Sequence, residues 1–215
     1  MKFLLLACLL FASGCSSTGI AIREQFGYAK REQLVNRVSD ARDSQTAAKA
    51  QFESALAEFL AVAGSSDAKT SELEARYKSL RTEYDRSESR ASTVRSRITD
   101  VENVASALFK EWQGELSQYS SAERRAISER QLRDTKAQYE KLLGVMKEAS
   151  SRMDPVLAAF KDQVLALKHS LNAAAIASLR GEAGRIQSDV SDLIKQMQAA
   201  VDEADAFIRQ MHSGE

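Results

Sequence analysis

The sequence predicts an all-α fold, an elongated antiparallel four-helix bundle of coiled-coil type, and three observations carry that prediction. Apolar residues recur at alternating steps of four and three along most of the chain. Turn-formers are scarce, with one proline and nine glycines in 215 residues, whereas a sandwich or barrel needs turn signals every ~8–12 positions. A content of 44% apolar and 28% charged residues suits a folded or coiled-coil chain rather than a disordered one. Few, long elements follow.

The first stretch, "MKFLLLACLLFASGCSS", gives an address. Lys2 supplies a positive start, and Phe3 to Ala12 an apolar run shorter than the ~20 residues a membrane span needs. It reads as a signal peptide over 1–14, ending in the small residues Ala12, Ser13 and Gly14. A cysteine directly behind them makes the stretch resemble a bacterial lipobox, with Ala12 where leucine is usual. The resemblance implies cleavage before Cys15 and lipid attachment to it. Ser16 stands where lipoproteins retained in the inner membrane often carry aspartate, so the same resemblance implies an outer-membrane anchor facing the periplasm. The alternative is an ordinary secretory signal followed by a free thiol. Cleavage removes Cys8 and leaves no second thiol for an intrachain disulfide, even in an oxidising compartment. Several acyl chains would tether the chain durably where one would not.

Residues 15–27 are small and polar with little periodicity and read as a lipidated tether; a helical bundle domain then spans 28–212. The first helix is expected over 28–63. Its seam runs Leu34, Val38, Ala41, Gln45, Ala48, Phe52, Ala55, Phe59 and Val62, apolar at every position but Gln45. "GSSD" at 64–67 offers a glycine for a helix end and Ser/Asp for the next start. A second helix over 68–112 follows Leu73, Tyr77, Leu80, Tyr84, Ser87, Ala91, Val94, Ile98, Val101, Ala105, Leu108 and Trp112, with Ser87 its one polar member.

Ser120 and Glu123 stand three apart as a capping box does, which opens a third helix over 121–170. Its seam is Leu132, Thr135, Tyr139, Leu142, Met146, Ala149, Met153, Val156, Phe160, Val164, Leu167 and Leu171. Pro155 lies inside it, read either as N1 of a new helix behind Asp154 or as a kink in one long helix. The four-three phase passes through Met153 and Val156 without a slip, which favours one helix. Asn172 is the best N-cap for a fourth helix over 173–211, with Ile176, Leu179, Ala183, Ile186, Val190, Leu193, Met197, Ala200, Ala204, Phe207 and Met211 on its seam.

Helices of this length reach ~50–75 Å at 1.5 Å per residue. Short connections make consecutive helices antiparallel neighbours, so the economical arrangement is an up-down-up-down bundle with left-handed supercoiling. An extended dimeric coiled coil, or three helices and a tail, are the alternatives. Seam aromatics such as Phe52, Phe59, Tyr77, Tyr84, Tyr139, Phe160 and Phe207 read as core filling rather than a cofactor pocket.

A search for chemistry yields little. Di-iron bundles need Glu-x-x-His on facing helices, yet Ala166 and Arg209 stand three before His169 and His212. His169 follows Lys168 at a helix end, where cations meet the dipole favourably. No nucleophile elbow, phosphate-binding glycine loop or zinc-spaced cysteine pair occurs. With seams nearly free of ionisable groups, the expectation is a protein that is not an enzyme, with no catalytic, cofactor-binding or metal-binding residues. Thirty basic residues balance thirty acidic ones, which disfavours a nucleic-acid partner. Charge is nonetheless uneven. Basic residues outnumber acids from Arg76 to Arg97, and acids outnumber bases from Glu182 to Asp205. Solvated faces with pairs such as Glu72 to Arg76 and Glu74 to Lys78 explain this, or Arg81, Arg86, Arg90 and Arg97 meet an anionic surface.

The segments "DPVLAAFKDQVLALKHSLNAAAIASL" and "KREQLVNRVSDARDSQTAAKAQFESAL", with the lipobox, resemble a family of uncharacterised proteobacterial envelope lipoproteins classed as a domain of unknown function. That resemblance implies location and fold and carries over no catalytic residue. The functional expectation is a membrane-anchored periplasmic lipoprotein with a structural or adaptor role toward an envelope protein or the cell wall. The alternative is a binding module for lipid or another apolar or anionic envelope ligand. Oligomeric state is open at this stage.

Overall fold

The computed structural model describes residues 16–65, 70–170 and 172–213, with side chains from residue 30 onward except at 70 and 173. The stretch read as a signal peptide, Cys15, the Ser66 and Asp67 expected to start the second helix, and Leu171 lie outside the described residues. Four long helices, α1 (Ser16–Ala63), α2 (Thr70–Glu115), α3 (Ala122–His169) and α4 (Ala173–Ser213), are joined by short turns, with a 3-10 turn at Leu116–Gln118. Among the described residues there is no strand.

Each helix forms because its apolar stripe repeats at the coiled-coil period and little in its interior interrupts the hydrogen-bond ladder. All nine seam positions expected in the first helix are buried, Gln45 included. In α2 the seam is buried except at Tyr77 and Tyr84, which are partly buried and packed on the core. Their rings fill the seam while the hydroxyls reach the surface, where Tyr84 Oη donates to Glu88 at 3.2 Å. In α3, Thr135 and Tyr139 are likewise half-buried, and the remaining described seam positions are buried. The α4 seam is buried from Ile176 to Phe207 with Ala183 half-buried, and Met211 half-buried at the fraying end.

Most expected helix ends fall within three residues of the observed ones, and two boundary readings are corrected. α1 begins at Ser16, so the helix continues back through the stretch read as an aperiodic tether. That stretch has no regular apolar spacing, yet Gly19 and Gly27 are its only strong helix breakers, and two glycines do not end a helix already propagating from residue 28. The cap of α3 is Ser121 rather than Ser120. Ser121 is extended (φ −90°, ψ 119°) and its Oγ accepts from the Arg124 amide at 3.3 Å. A capping box with Glu123 therefore does not form; Glu123 instead lies in the first turn, where its charge suits the helix dipole. Asn172 caps as expected, its Oδ1 accepting from the Ala175 amide at 3.0 Å.

Pro155 lies inside α3, which runs unbroken from Ala122 to His169. The reading of Pro155 as the start of a separate helix is thereby excluded. Gly64 follows the end of α1, its amide donating to Leu60 O at 2.9 Å.

α1 lies beside α2 and α4, and α3 completes the ring by lying beside the same two. Cross-helix pairs set an antiparallel register. Lys30 meets Glu111, Gln51 meets Glu83, Arg42 meets Asp205, and Lys141 meets Glu203. Across the diagonal, Phe59 and Phe160 meet edge-on at 6.1 Å. At the other end Phe109 stacks edge-on to Tyr139 at 5.3 Å, and Trp112 Nε1 donates to Ser128 Oγ at 2.8 Å, satisfying an indole that burial would otherwise leave unpaired. The result is a closed four-helix ring with aromatic clusters toward both ends.

Candidate functional site

Cys15, the expected lipidation residue, precedes the described chain, and α1 begins with the residue after it. What attaches to Cys15 would therefore lead into a helix rather than a flexible linker.

The four arginines expected on one anionic-surface patch do not share a face. At ~100° per residue, Arg86, Arg90 and Arg97 fall within a strip about 40° wide, while Arg81 lies roughly 140° or more around α2 from each of them. Three of the four already have carboxylate partners. Arg81 faces Asp85 at 3.8 Å, Arg86 meets Glu83 at 2.8 Å, and Arg97 meets Asp100 at 3.3 Å. All of these lie within α2. Arg90 is exposed and has no carboxylate partner among the described residues. Of the expected surface pairs, Glu72 and Arg76 join at 2.9 Å, whereas among the described residues no ion pair joins Glu74 and Lys78.

Polar side chains converge at two other places. On the α1–α2 flank, Glu83 is 9% exposed, and its Oε2 accepts from Gln51 Nε2 at 2.7 Å and Ser54 Oγ at 2.9 Å. Arg86 donates to its other oxygen at 2.8 Å. Three donors keep a nearly buried carboxylate satisfied, which makes the cluster a cross-helix lock. Between α2 and α3 a shallow groove of about 250 Å³ is lined by Arg95, Ile98, Thr99, Glu102, Lys147, Ser150, Ser151 and Asp154. Two pairs crossing between the helices, Arg95 with Asp154 and Lys147 with Glu102, span it. Its charges thus neutralise one another across the groove. The hydroxyls of Thr99 and Ser151 donate to carbonyls of their own helices, Arg95 O at 3.1 Å and Glu148 O at 2.8 Å.

Among the described residues, clear electrostatic perturbation is confined to a few groups. Burial first, then the Glu102 and Glu140 charges, push the Tyr139 hydroxyl up to about 12. Burial and a bond to Glu88 raise Tyr84, and the bonds to Asp205 and Asp43 raise Arg42. None of these belongs to a convergent nucleophile and base. Among the described residues no group of three or more His, Cys, Asp or Glu could hold a metal ion. No helix among them is long and apolar enough to cross a membrane.

The sequence pattern of a family described as "Protein of unknown function (DUF2959)" matches residues 20–211. The chain belongs to the DUF2959 family. No curated protein and no solved structure matches it. In this DUF2959 chain the matched region opens inside α1 and closes near the end of α4, so the family pattern covers the four-helix ring, with Cys15 before it.

The groove of this DUF2959 chain and its Glu83 lock went unforeseen in the sequence. Glu83 and Gln51 flank the seams rather than occupying them, and the register that brings them together depends on turn geometry. The one available signal was a glutamate beside the seam tyrosine Tyr84, an acid next to positions that become buried.

Proposed function

We propose that this chain is a lipid-anchored protein of the bacterial envelope with a structural or adaptor role. Cys15 carries the lipid on the periplasmic side of the outer membrane, and the bundle holds an envelope protein or cell-wall partner by its polar faces. One observation carries the reading. A cysteine stands behind Ala-Ser-Gly and a short apolar run, and a helix of 48 residues begins at the very next position. Such a helix projects ~70 Å at 1.5 Å per residue, a reach that suits a spacer. The continuous apolar core supports a rigid rod, and its exposed surface is rich in both signs of charge. Neither catalysis, a cofactor nor a metal enters this reading.

The chain expressed in a Gram-negative host tests the anchor. Mass spectrometry of the mature N-terminal peptide is expected to show diacylglycerol on Cys15, and Cys15→Ser is expected to leave the membrane fraction. An unmodified cysteine on a cleaved, soluble chain would sink the anchor. Crosslinking in intact cells followed by mass spectrometry tests the adaptor role, and a chain that captures no envelope protein or wall fragment would count against it. A second reading, in which the basic face of α2 docks on an anionic ligand, has Arg90 as its only unpaired cation of the four. Vesicle flotation of Cys15→Ser against Cys15→Ser with Arg90→Glu tests it, and equal flotation would remove it.

A further inference from the structure

Among the described residues, one fully sealed core side chain is a polar defect. Gln45 is 0% exposed, and among the described residues nothing bonds to its Oε1 or Nε2. The buried Ser87 of α2 is different, since its hydroxyl donates to Glu83 O at 2.8 Å. An amide sealed from solvent without partners costs free energy that its neighbours must supply.

Its neighbours are poorly suited to that. Arg42 meets Asp205 and Lys49 donates to Gln198 at 2.7 Å, so Gln45 lies between these pairs and level with Ala200 and Ala204 of α4. On α1 itself Ala41 and Ala48 flank it on the seam, and all four alanines are 0% exposed. Alanine removes less apolar area from water than any other side chain on these seams, so this part of the α1–α4 interface gains least from closure. The large rings lie elsewhere along the rod, at Phe52, Phe59 and Phe160 toward one end and Trp112 toward the other.

We infer that the alanine-walled stretch around Gln45 is a built-in opening point, where α1 and α4 part locally and the amide reaches water while both aromatic ends stay closed. The closed state seals the amide at a cost, and the open state hydrates it in exchange for the alanine contacts, part of the Met197 packing and the solvent-facing bridges Arg42–Asp205 and Lys49–Gln198. This holds whether or not Cys15 carries lipid, so the inference and the anchor reading stand or fall separately.

Native-state hydrogen exchange on the full chain tests it. Backbone amides of 41–49 and 197–204 are expected to exchange at least about tenfold faster than those of 55–62 and 156–164, through an opening that does not need global unfolding. Gln45→Met, which keeps the length of the side chain and removes the amide, is expected to slow exchange at this stretch by about tenfold and leave the ends unchanged. Gln45→Glu is a second probe. A buried carboxylate is expected to speed local exchange as pH rises through the carboxylate range, beyond the intrinsic pH dependence seen at 55–62. Uniformly slow exchange along α1, an unaltered rate in Gln45→Met, or a Gln45→Met chain that loses its fold would each overturn the proposal.

Discussion

Glu83 shows how much depends on one flanking residue. Its carboxylate accepts from Gln51, Ser54 and Arg86, and the side chain is only 12% exposed. Glu83→Ala strands the Gln51 and Ser54 donors at a covered interface and is expected to destabilise the bundle by about 1–3 kcal/mol in denaturant unfolding. Tyr139 tests burial differently. Its hydroxyl holds its proton up to about 12 in the folded chain against 10.0 ordinarily. Between those values the folded state binds more protons than the unfolded one. Stability is therefore full below pH 10 and falls as pH rises from 10 toward 12. Tyr139→Phe is expected to flatten that alkaline decline in unfolding curves recorded at pH 9 to 11, leaving the part that Tyr84 contributes. At this scale the sequence disclosed what the seams bury, including Gln45 and Ser87 as their polar exceptions. It did not disclose which of those exceptions would find a partner, because partners come from other helices whose register is fixed only on packing.

At the level of the helix, ends were harder to place than interiors. The four-three phase carried through Pro155, and α3 indeed continues across it. Proline there withholds the amide that would bond the Ser151 carbonyl, so Pro155→Ala is expected to stabilise the bundle by about 1–3 kcal/mol in thermal unfolding. Caps depend on the conformation of a single residue, and two serines, Ser120 and Ser121, stand side by side before the first turn of α3. Ser121 takes the extended conformation and binds the Arg124 amide. Ser121→Ala is expected to cost about 1 kcal/mol, and Ser120→Ala close to nothing, in the same measurement. A reversed order would return the cap to the position the Ser-x-x-Glu pattern suggests. Asn172 was legible because it is the residue with a side-chain acceptor that stands directly before the alanine run.

For the whole molecule, short connections already implied antiparallel neighbours, and the ring of four helices follows from burying one stripe per helix. Function was legible only as an address. Three of the four charges that looked like a docking patch are spent on local carboxylates, and that pairing depends on side-chain geometry the linear pattern does not contain. The pairing of Arg42 with Asp205 places the start of α1 and the end of α4 at the same end of the rod. That arrangement decides how the molecule resists force. Tension applied between Ser16 and Ser213 peels two adjacent helices apart like a zipper, breaking one layer of contacts at a time. Tension between Ser16 and Asn172, at opposite ends of the neighbouring helices α1 and α4, must slide one helix past the other and break many layers together. Optical-trap pulling through these two pairs of handles is expected to give a markedly lower rupture force for the first. A spacer gripped at its far turns would thus bear a pull that the same spacer, gripped at the end of α4, would yield to.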